Sequence, residues 1–160
     1  MICLKFSAAG EVYQAGFSSN GLTSLCWLGK ADSGSLDDLP PREGDWVFLL
    51  KRELDEYFAG SRRKFSVPVD LSCGTGFQRE VWQGIASIPY GQWLSYGELA
   101  SRLGRPKAVR AVGSACGANP VPLLIPCHRV LASGGRIGGF GSGLDRKRSL
   151  LSLEGIAWLE

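Results

Sequence analysis

Cys127 and His128 stand side by side in LLIPCHRVL (residues 123–131), and His128 is the only histidine in a chain of 160 residues. Such a pair could serve redox cycling, metal ligation or nucleophilic attack, or it could simply pack, since a buried free cysteine commonly acts as a small hydrophobe. Cys3, Cys26, Cys73 and Cys116 lie at wide, irregular spacings with no CxxC pair, which argues against a disulfide framework and against a closely spaced zinc site. Pro120, Pro122 and Pro126 break regular structure between 119 and 127 and place the thiol on a shaped turn. Adjacent side chains of a plain strand point to opposite faces, so only such a turn lets Cys127 and His128 serve one site. A free thiol with a pKa of about 8.5 is only a few per cent thiolate at neutral pH, and the His128 imidazole and Arg129 charge would raise that fraction. Nucleophile is therefore the leading reading over packing.

The flanks fit a pocket. SGGRIGGFGSG (133–143) holds six glycines without the Gly-Lys-Ser/Thr ending of a phosphate loop, so it reads as a permissive pocket wall. The final helix, expected over 145–154, closes on Glu154 before Gly155. An acid at a helix C-terminus opposes the macrodipole, which hints at another partner for Glu154, with a plain surface carboxylate as the alternative.

These residues need elements to position them. Thr75 with Gln78, and Ser95 with Glu98, form two capping boxes opening helices, the first stopping at Ile88-Pro89 and the second at Gly104. Pro106 suits the first turn of another helix over 107–118, giving two short helices in the layout of a helix-turn-helix. On the second, Ala108, Val109, Val112, Ala115 and Cys116 are the expected buried face, and Lys107, Arg110, Ala111, Ser114 and Ala118 the exposed one. Gly113 and Gly117 each cost about 1 kcal/mol relative to alanine, so either a close approach to another surface or tight helix packing requires them. Arg102, Arg105, Lys107 and Arg110 gather in this stretch and could neutralise phosphates. A face with one long arginine among small residues favours shape-tolerant contact over base-sequence readout.

Before residue 70 the chain reads as strands at 2–6 and 22–28, turns at Gly10 and 19–21, a loop over 29–42, and a helix carrying Trp46, Leu49, Leu50, Leu54, Tyr57 and Phe58 that Gly60 ends. Arg52, Asp55 and Glu56 form its solvated face, and 61–74 is a connector with a strand-like run, FSVPVDL. The fold class is α/β (α+β): a small N-terminal sheet-plus-helix domain over 1–69, then a mostly helical C-terminal domain over 70–160 containing the helix-turn-helix. The net charge of +3 divides into −1 from 8 basic and 9 acidic residues before residue 70, and +4 from 10 basic and 6 acidic after it, which fits an anionic partner for the second part. The hydrophobic fraction of 44% and charged fraction of 21% are those of a soluble globular chain. Without a membrane span or a secretory leader, it is expected to be cytoplasmic.

IPYGQWLSYGELA, RPKAVRAVGSACGANPVPLLIPCHRV and the closing LLSLEG resemble the O6-alkylguanine-DNA alkyltransferases, with the Pro-Cys-His-Arg-Val motif at Pro126 to Val130. The resemblance is dense from Phe77 to Gly155. It implies DNA repair by direct reversal: the protein flips an O6-alkylguanine out of duplex DNA and moves the alkyl group irreversibly to its own cysteine, once per molecule, without metal or cofactor. Cys127 would be the acceptor, and His128, through a water and oriented by Glu154, its base. Tyr96 would assist extrusion and protonate the departing guanine, and Asn119 would tie the second helix to the active-site turn. DNA contacts would come from Arg110, which fills the gap in the base stack, and from Tyr96, Gly97, Arg105, Ala111, Ser114 and Ser133. Pro126, Val130, Ser133, Phe140 and Gly141 would form the base pocket. The helix would enter the minor groove with little sequence specificity. A monomer is expected, cooperativity on DNA being left open. Phe140 and Gly141 stand where the family often has tyrosine and serine, and the single histidine argues against the zinc that some relatives carry in the first domain. A damage sensor lacking transfer, a thiol hydrolase and a helix-turn-helix regulator are the rival readings.

Overall fold

The computed structural model describes residues 2–30 and 46–160, and the chain divides into two compact units between Cys73 and Gly74. The first opens with three antiparallel strands in the order β1-β2-β3: β1 is Ile2–Ala8, β2 Glu11–Ser18 and β3 Gly21–Lys30. The two expected turns fall between them. The central strand β2, EVYQAGFS, is an addition to the sequence-based expectation, because its Gln14, Ala15 and Gly16 blur the alternation that marks a strand. Gly16 is there for space, since a Cβ at this position would lie 2.5 Å from the Ser24 hydroxyl across the sheet. Gly29 and Lys30 belong to β3 rather than to a loop; the remainder of that expected loop, 31–42, lies outside the described residues.

The helix α1, Trp46–Phe58, buries Val47, Leu50, Leu54 and Tyr57 and ends as expected at Gly60, whose φ of +79° is the left-handed conformation that glycine adopts freely. Its polar face is more than solvated surface. Asp55 accepts the Ala9 N–H at 2.6 Å, and Glu56 accepts from Arg62 Nε at 2.5 Å, while Arg52 stays exposed. Glu53, fully buried among the apolar residues, accepts from the Ser66 N–H at 2.9 Å, the Ser66 hydroxyl and Arg62 Nη1 at 3.2 Å. The run FSVPVDL is no free connector. Leu22 N–H donates to Pro68 O at 2.8 Å and Asp70 N–H to Leu22 O at 2.9 Å, so the run pairs with β3, and the unit boundary falls after Cys73 instead of after residue 69.

In the second unit α2 (Gly76–Ala86) and α3 (Tyr96–Arg102) both start from complete capping boxes, at Thr75/Gln78 and Ser95/Glu98. Between them lies β4 (Leu94–Ser95), and α4 follows as Val109–Gly117. This last helix begins two residues later than Pro106 implies, because the Ala108 N–H is taken by Arg105 O at 2.9 Å in a preceding turn. Val109, expected to be buried, is 37% exposed: it is the first residue of the helix. Trp82 of α2 donates its indole N–H to Ala115 O at 2.8 Å, locking α2 to α4 through the core. A short 3₁₀ turn, Cys127–Arg129, leads into β5 (Val130–Leu131), which pairs parallel with β4, and α5 (Leu144–Leu153) closes the unit. Among the described residues no helix is long and apolar enough to cross a membrane.

Replacing Glu53 with alanine leaves three donors, the Ser66 N–H, the Ser66 hydroxyl and the Val67 N–H, without their acceptor, and takes from Arg62 one of its two carboxylate partners. The expected loss is about 3 kcal/mol of unfolding free energy, against less than about 1 kcal/mol for Arg52→Ala, both read by urea denaturation. A Glu53→Ala loss no larger than that of Arg52→Ala would show that 62–67 is held by other contacts.

Candidate active site

The segment from the end of α4 to the 3₁₀ turn is irregular, as its prolines require. Asn119 organises it: its side-chain carbonyl accepts the Val121 N–H at 3.0 Å, and its amide donates to Ile125 O at 2.8 Å. Leu123, buried and bulky, is held at φ +74°, a conformation that costs a non-glycine residue about 1–3 kcal/mol and persists only where the surroundings dictate it. The turn ends with Cys127 N–H on Ile125 O at 2.8 Å.

A cavity of about 250 Å³ opens beside this turn, lined by Tyr96, Gly113, Cys116, Gly117, Asn119, Pro122, Cys127 and residues 139–142. Its volume is on the scale of one nucleobase. It also separates the two explanations of the α4 glycines: a Cβ on Gly113 would find its nearest neighbour, Tyr96, at 4.0 Å, and one on Gly117 would meet nothing within 4 Å. Packing does not demand either glycine; both border the cavity.

His128 is buried, and its Nε2 lies 2.8 Å from Glu154 Oε1. Arg129 grips the same carboxylate with two bonds, Nε to Oε2 and Nη2 to Oε1, each 2.8 Å, and sends Nη1 to Ile88 O at 2.7 Å. Burial pushes the Glu154 carboxyl up, but the hydrogen bonds and charges of His128 and Arg129 outweigh it and bring it down to about 2. Burial also pushes His128 down, against the pull of Glu154, so the imidazole is neutral near pH 7. An ionised carboxylate can only accept, hence Nε2 carries the hydrogen and Nδ1 a lone pair. Nδ1 is buried with no hydrogen-bond partner among the described residues. The arrangement is that of a base waiting for a proton.

Burial pushes the Cys127 thiol up, opposed by the Asn119 side chain, the charge of Lys147 and the backbone amides of Cys127 and His128. Arg129, expected from the sequence to be the cation assisting the thiol, is committed to Glu154. Tyr96 is pushed up to about 12 by burial and by the two cavity thiols, Cys116 and Cys127, so it keeps its proton and can donate it.

The structure thus gathers Cys127, Tyr96, Asn119, Phe140 and Gly141 around the cavity, with His128 and Glu154 behind it. It does not bring in Pro126, Val130 or Ser133. Pro126 and Val130 are buried, Val130 being paired with Leu94 in the two-stranded sheet, and Ser133 is exposed on a separate 3₁₀ turn. Ser142, which the sequence reading passed over, lines the cavity beside Gly141, returning a hydroxyl one position later than the family pattern has it. Arg110, Ala111 and Ser114 are exposed on α4, Ala111 and Ser114 bordering a shallow groove with Thr75, Phe77 and Gln78. Gly97 lies at the start of α3 in another shallow depression. Arg105 is shared with Glu80 at 3.0 Å and lies over the Phe77 ring at 5.4 Å. Among the described residues no cluster of three or more His, Cys, Asp or Glu is placed to hold a metal.

Both groups of the buried His–Glu pair are depressed, so both contribute stability at neutral pH that acid removes. The His128 contribution is present above about 6.5 and is lost on acidification below it, as the unfolded chain takes up a proton the folded one refuses. The Glu154 contribution is full above 4.5 and lost towards 2. Urea unfolding followed against pH should show both declines. Glu154→Gln should remove the lower one and cost about 3 kcal/mol at pH 7 by stranding Arg129; a variant as stable as the parent at pH 7 would refute the assigned pairing.

Two family models match the chain: the DNA binding domain of 6-O-methylguanine DNA methyltransferase over residues 76–156 and its ribonuclease-like domain over residues 17–71. The methylated-DNA–protein-cysteine methyltransferase of Mycobacterium leprae is 51% identical over 148 residues, covering 92% of this chain and 88% of that protein. Among solved structures, Mycobacterium tuberculosis OGT in complex with DNA superposes with a TM-score of 0.80 at 38% identity, covering 95% of this chain and 91% of that one. The O6-methylguanine-DNA methyltransferase of Pyrococcus kodakaraensis gives 0.65 at 27% identity, covering 96% and 98%. The sequence, the two-unit fold and these likenesses agree, and the chain belongs to the 6-O-methylguanine DNA methyltransferase family.

Proposed function

We propose that this protein repairs DNA by moving the alkyl group of an O6-alkylguanine, extruded from the duplex, to the sulfur of Cys127. The observation that carries the reading is a base-sized cavity with Cys127, Asn119 and the Tyr96 phenol on its walls, backed by an imidazole whose free nitrogen is set by Glu154. The thiol proton passes through a water to His128 Nδ1, and the resulting imidazolium is stabilised by Glu154. The thiolate attacks the alkyl carbon, forming a C–S bond as the C–O6 bond breaks. Tyr96 gives its proton to the departing guanine, which leaves as the normal base. The Tyr96 phenolate regains a proton from solvent and His128 loses one to it. The thioether is not hydrolysed, so each molecule acts once. No step needs a metal or a redox cofactor.

On the DNA side, α4 enters the minor groove, where Ala111 and Ser114 allow close approach and Arg110 occupies the place of the extruded base. Extrusion costs a few kcal/mol, which phosphate contacts and Arg110 offset. Sequence preference is weak because the face carries one long side chain, and the protein acts as a monomer. Phe140 and Gly141 wall the base pocket, with the Ser142 hydroxyl beside them.

Incubation with duplex DNA containing O6-methylguanine, followed by intact-mass and peptide analysis, should find one methyl group per molecule on Cys127 and none in Cys127→Ser. Repeated turnover, or absence of transfer by the folded protein, would overturn the assignment. Arg110→Ala should slow duplex repair by roughly tenfold or more, in keeping with the energy of extrusion, while reaction with a free O6-alkylguanine base changes by less than about twofold. Equal losses in the two assays would remove Arg110 from the extrusion step.

A further inference from the structure

Lys147 lies on α5 with no exposed surface. Its ammonium donates to Val130 O at 2.8 Å and to Gly139 O at 3.1 Å, two neutral acceptors, and no carboxylate partner is found among the described residues. Burying a cation without an anion is costly, so the position calls for a reason. Gly139 belongs to the cavity wall, and Val130 begins the strand that leaves the Cys127 turn. The ammonium therefore joins the strand after the nucleophile to the glycine-rich wall.

We propose that Lys147 is a positioning residue for alkyl transfer, its clamped ammonium serving as the fixed countercharge for the Cys127 thiolate as that anion forms. The inference rests on Cys127 being the acceptor. The charges around the site leave this part open: Glu154 is balanced by Arg129, and His128 becomes positive only by taking the thiol proton. The titratable groups sharing the neighbourhood are Cys127 and His128 on the turn, Cys116 from α4 and Tyr96 from α3. Lys147 favours ionisation of both cavity thiols, and the choice between them lies elsewhere. Cys127 is also favoured by Asn119 and by the His128 backbone amide, whereas Cys116, pushed up to about 12 chiefly by burial, stays protonated. Lys147 itself is brought down to about 8 by burial, with the two thiols opposing.

Lys147→Gln keeps N–H donors for the two carbonyls and removes the charge. The pH dependence of Cys127 modification by iodoacetamide, located by mass, should shift upward by about one unit, and repair near neutral pH should slow about tenfold and recover as pH rises. A folded variant whose Cys127 titrates as in the parent, with repair lost equally at every pH, overturns the proposal and makes Lys147 a packing residue. A second measurement needs no Lys147 variant. In Cys127→Ser the anion cannot form, so Lys147, followed by carbon NMR of its side chain, should titrate at lower pH than in the parent; identical titration in the two proteins also overturns the proposal. Neither titration involves DNA, so either result stands apart from whether the protein repairs alkylguanine.

Discussion

A single buried carboxylate fixes the geometry of the second unit. Glu154 sits where α5 ends, a position a helix dipole disfavours for an anion, and it is kept ionised by a two-bond arginine fork and an imidazole N–H. Arg129 reaches on to Ile88 O, just beyond α2, and Tyr90 donates to Leu153 O at 3.1 Å. The end of α5, the tail of α2 and the turn that bears the thiol are thereby tied to one another. Because the carboxylate can only accept, it also decides which imidazole nitrogen is bare. One ion pair sets both a backbone position and the protonation state of the imidazole next to Cys127.

Everything nearer the thiol is irregular, and the constraint has to be passed along by side chains rather than by a helix or sheet ladder. Asn119 does this at one end of the segment, by supplying the hydrogen bonds that Val121 and Ile125 cannot find in regular structure, and Arg129 does it at the other. Between them Leu123 is held in the left-handed region, which shows how tightly the segment is determined from both sides. The small residues of α4 make sense against this frame. Side chains at Gly113 and Gly117 would not clash with the protein; they would fill the space in front of Cys127. Helix propensity has been given up to keep a cavity open.

How much of this could be read from residues alone depended on whether the signal was local. Capping boxes, the proline stop after α2 and the glycine end of α1 are short-range chemistry, and each was legible. The Cys-His pair, the glycine-rich wall and the awkward Glu154 were legible as chemistry, with family resemblance supplying their roles. The central strand was hidden because Ala15 and Gly16 serve sheet packing rather than a visible alternation. Lys147 and Glu53 were missed for a related reason: both are charged residues at buried positions of an amphipathic helix, Lys147 in register with Leu150 and Leu151, Glu53 beside Leu50, Leu54 and Tyr57. A charge on an apolar stripe is the signal that would have found them. The assignment of Arg129 to the thiol failed because its guanidinium is taken by Glu154, a partner distant in sequence, and by Ile88 O.

The site must reconcile two opposing demands. A base-sized cavity walled by protein excludes water from the reacting carbon, but the same desolvation pushes the thiol up and makes it a poorer nucleophile. Enzymes that turn over meet this by opening and closing, which brings mobile elements into the site. A protein that keeps the transferred group has only to let the repaired base return to its helix, so its active turn can be braced from both sides without a moving lid. In the reading proposed above, the compensation for burial is built from groups fixed by the fold: an amide at Asn119, backbone N–H groups, an oriented imidazole and a cation held by two carbonyls. Electrostatics preorganised in this way need no reorganisation at the moment of transfer, and a protein that acts once does not have to undo it.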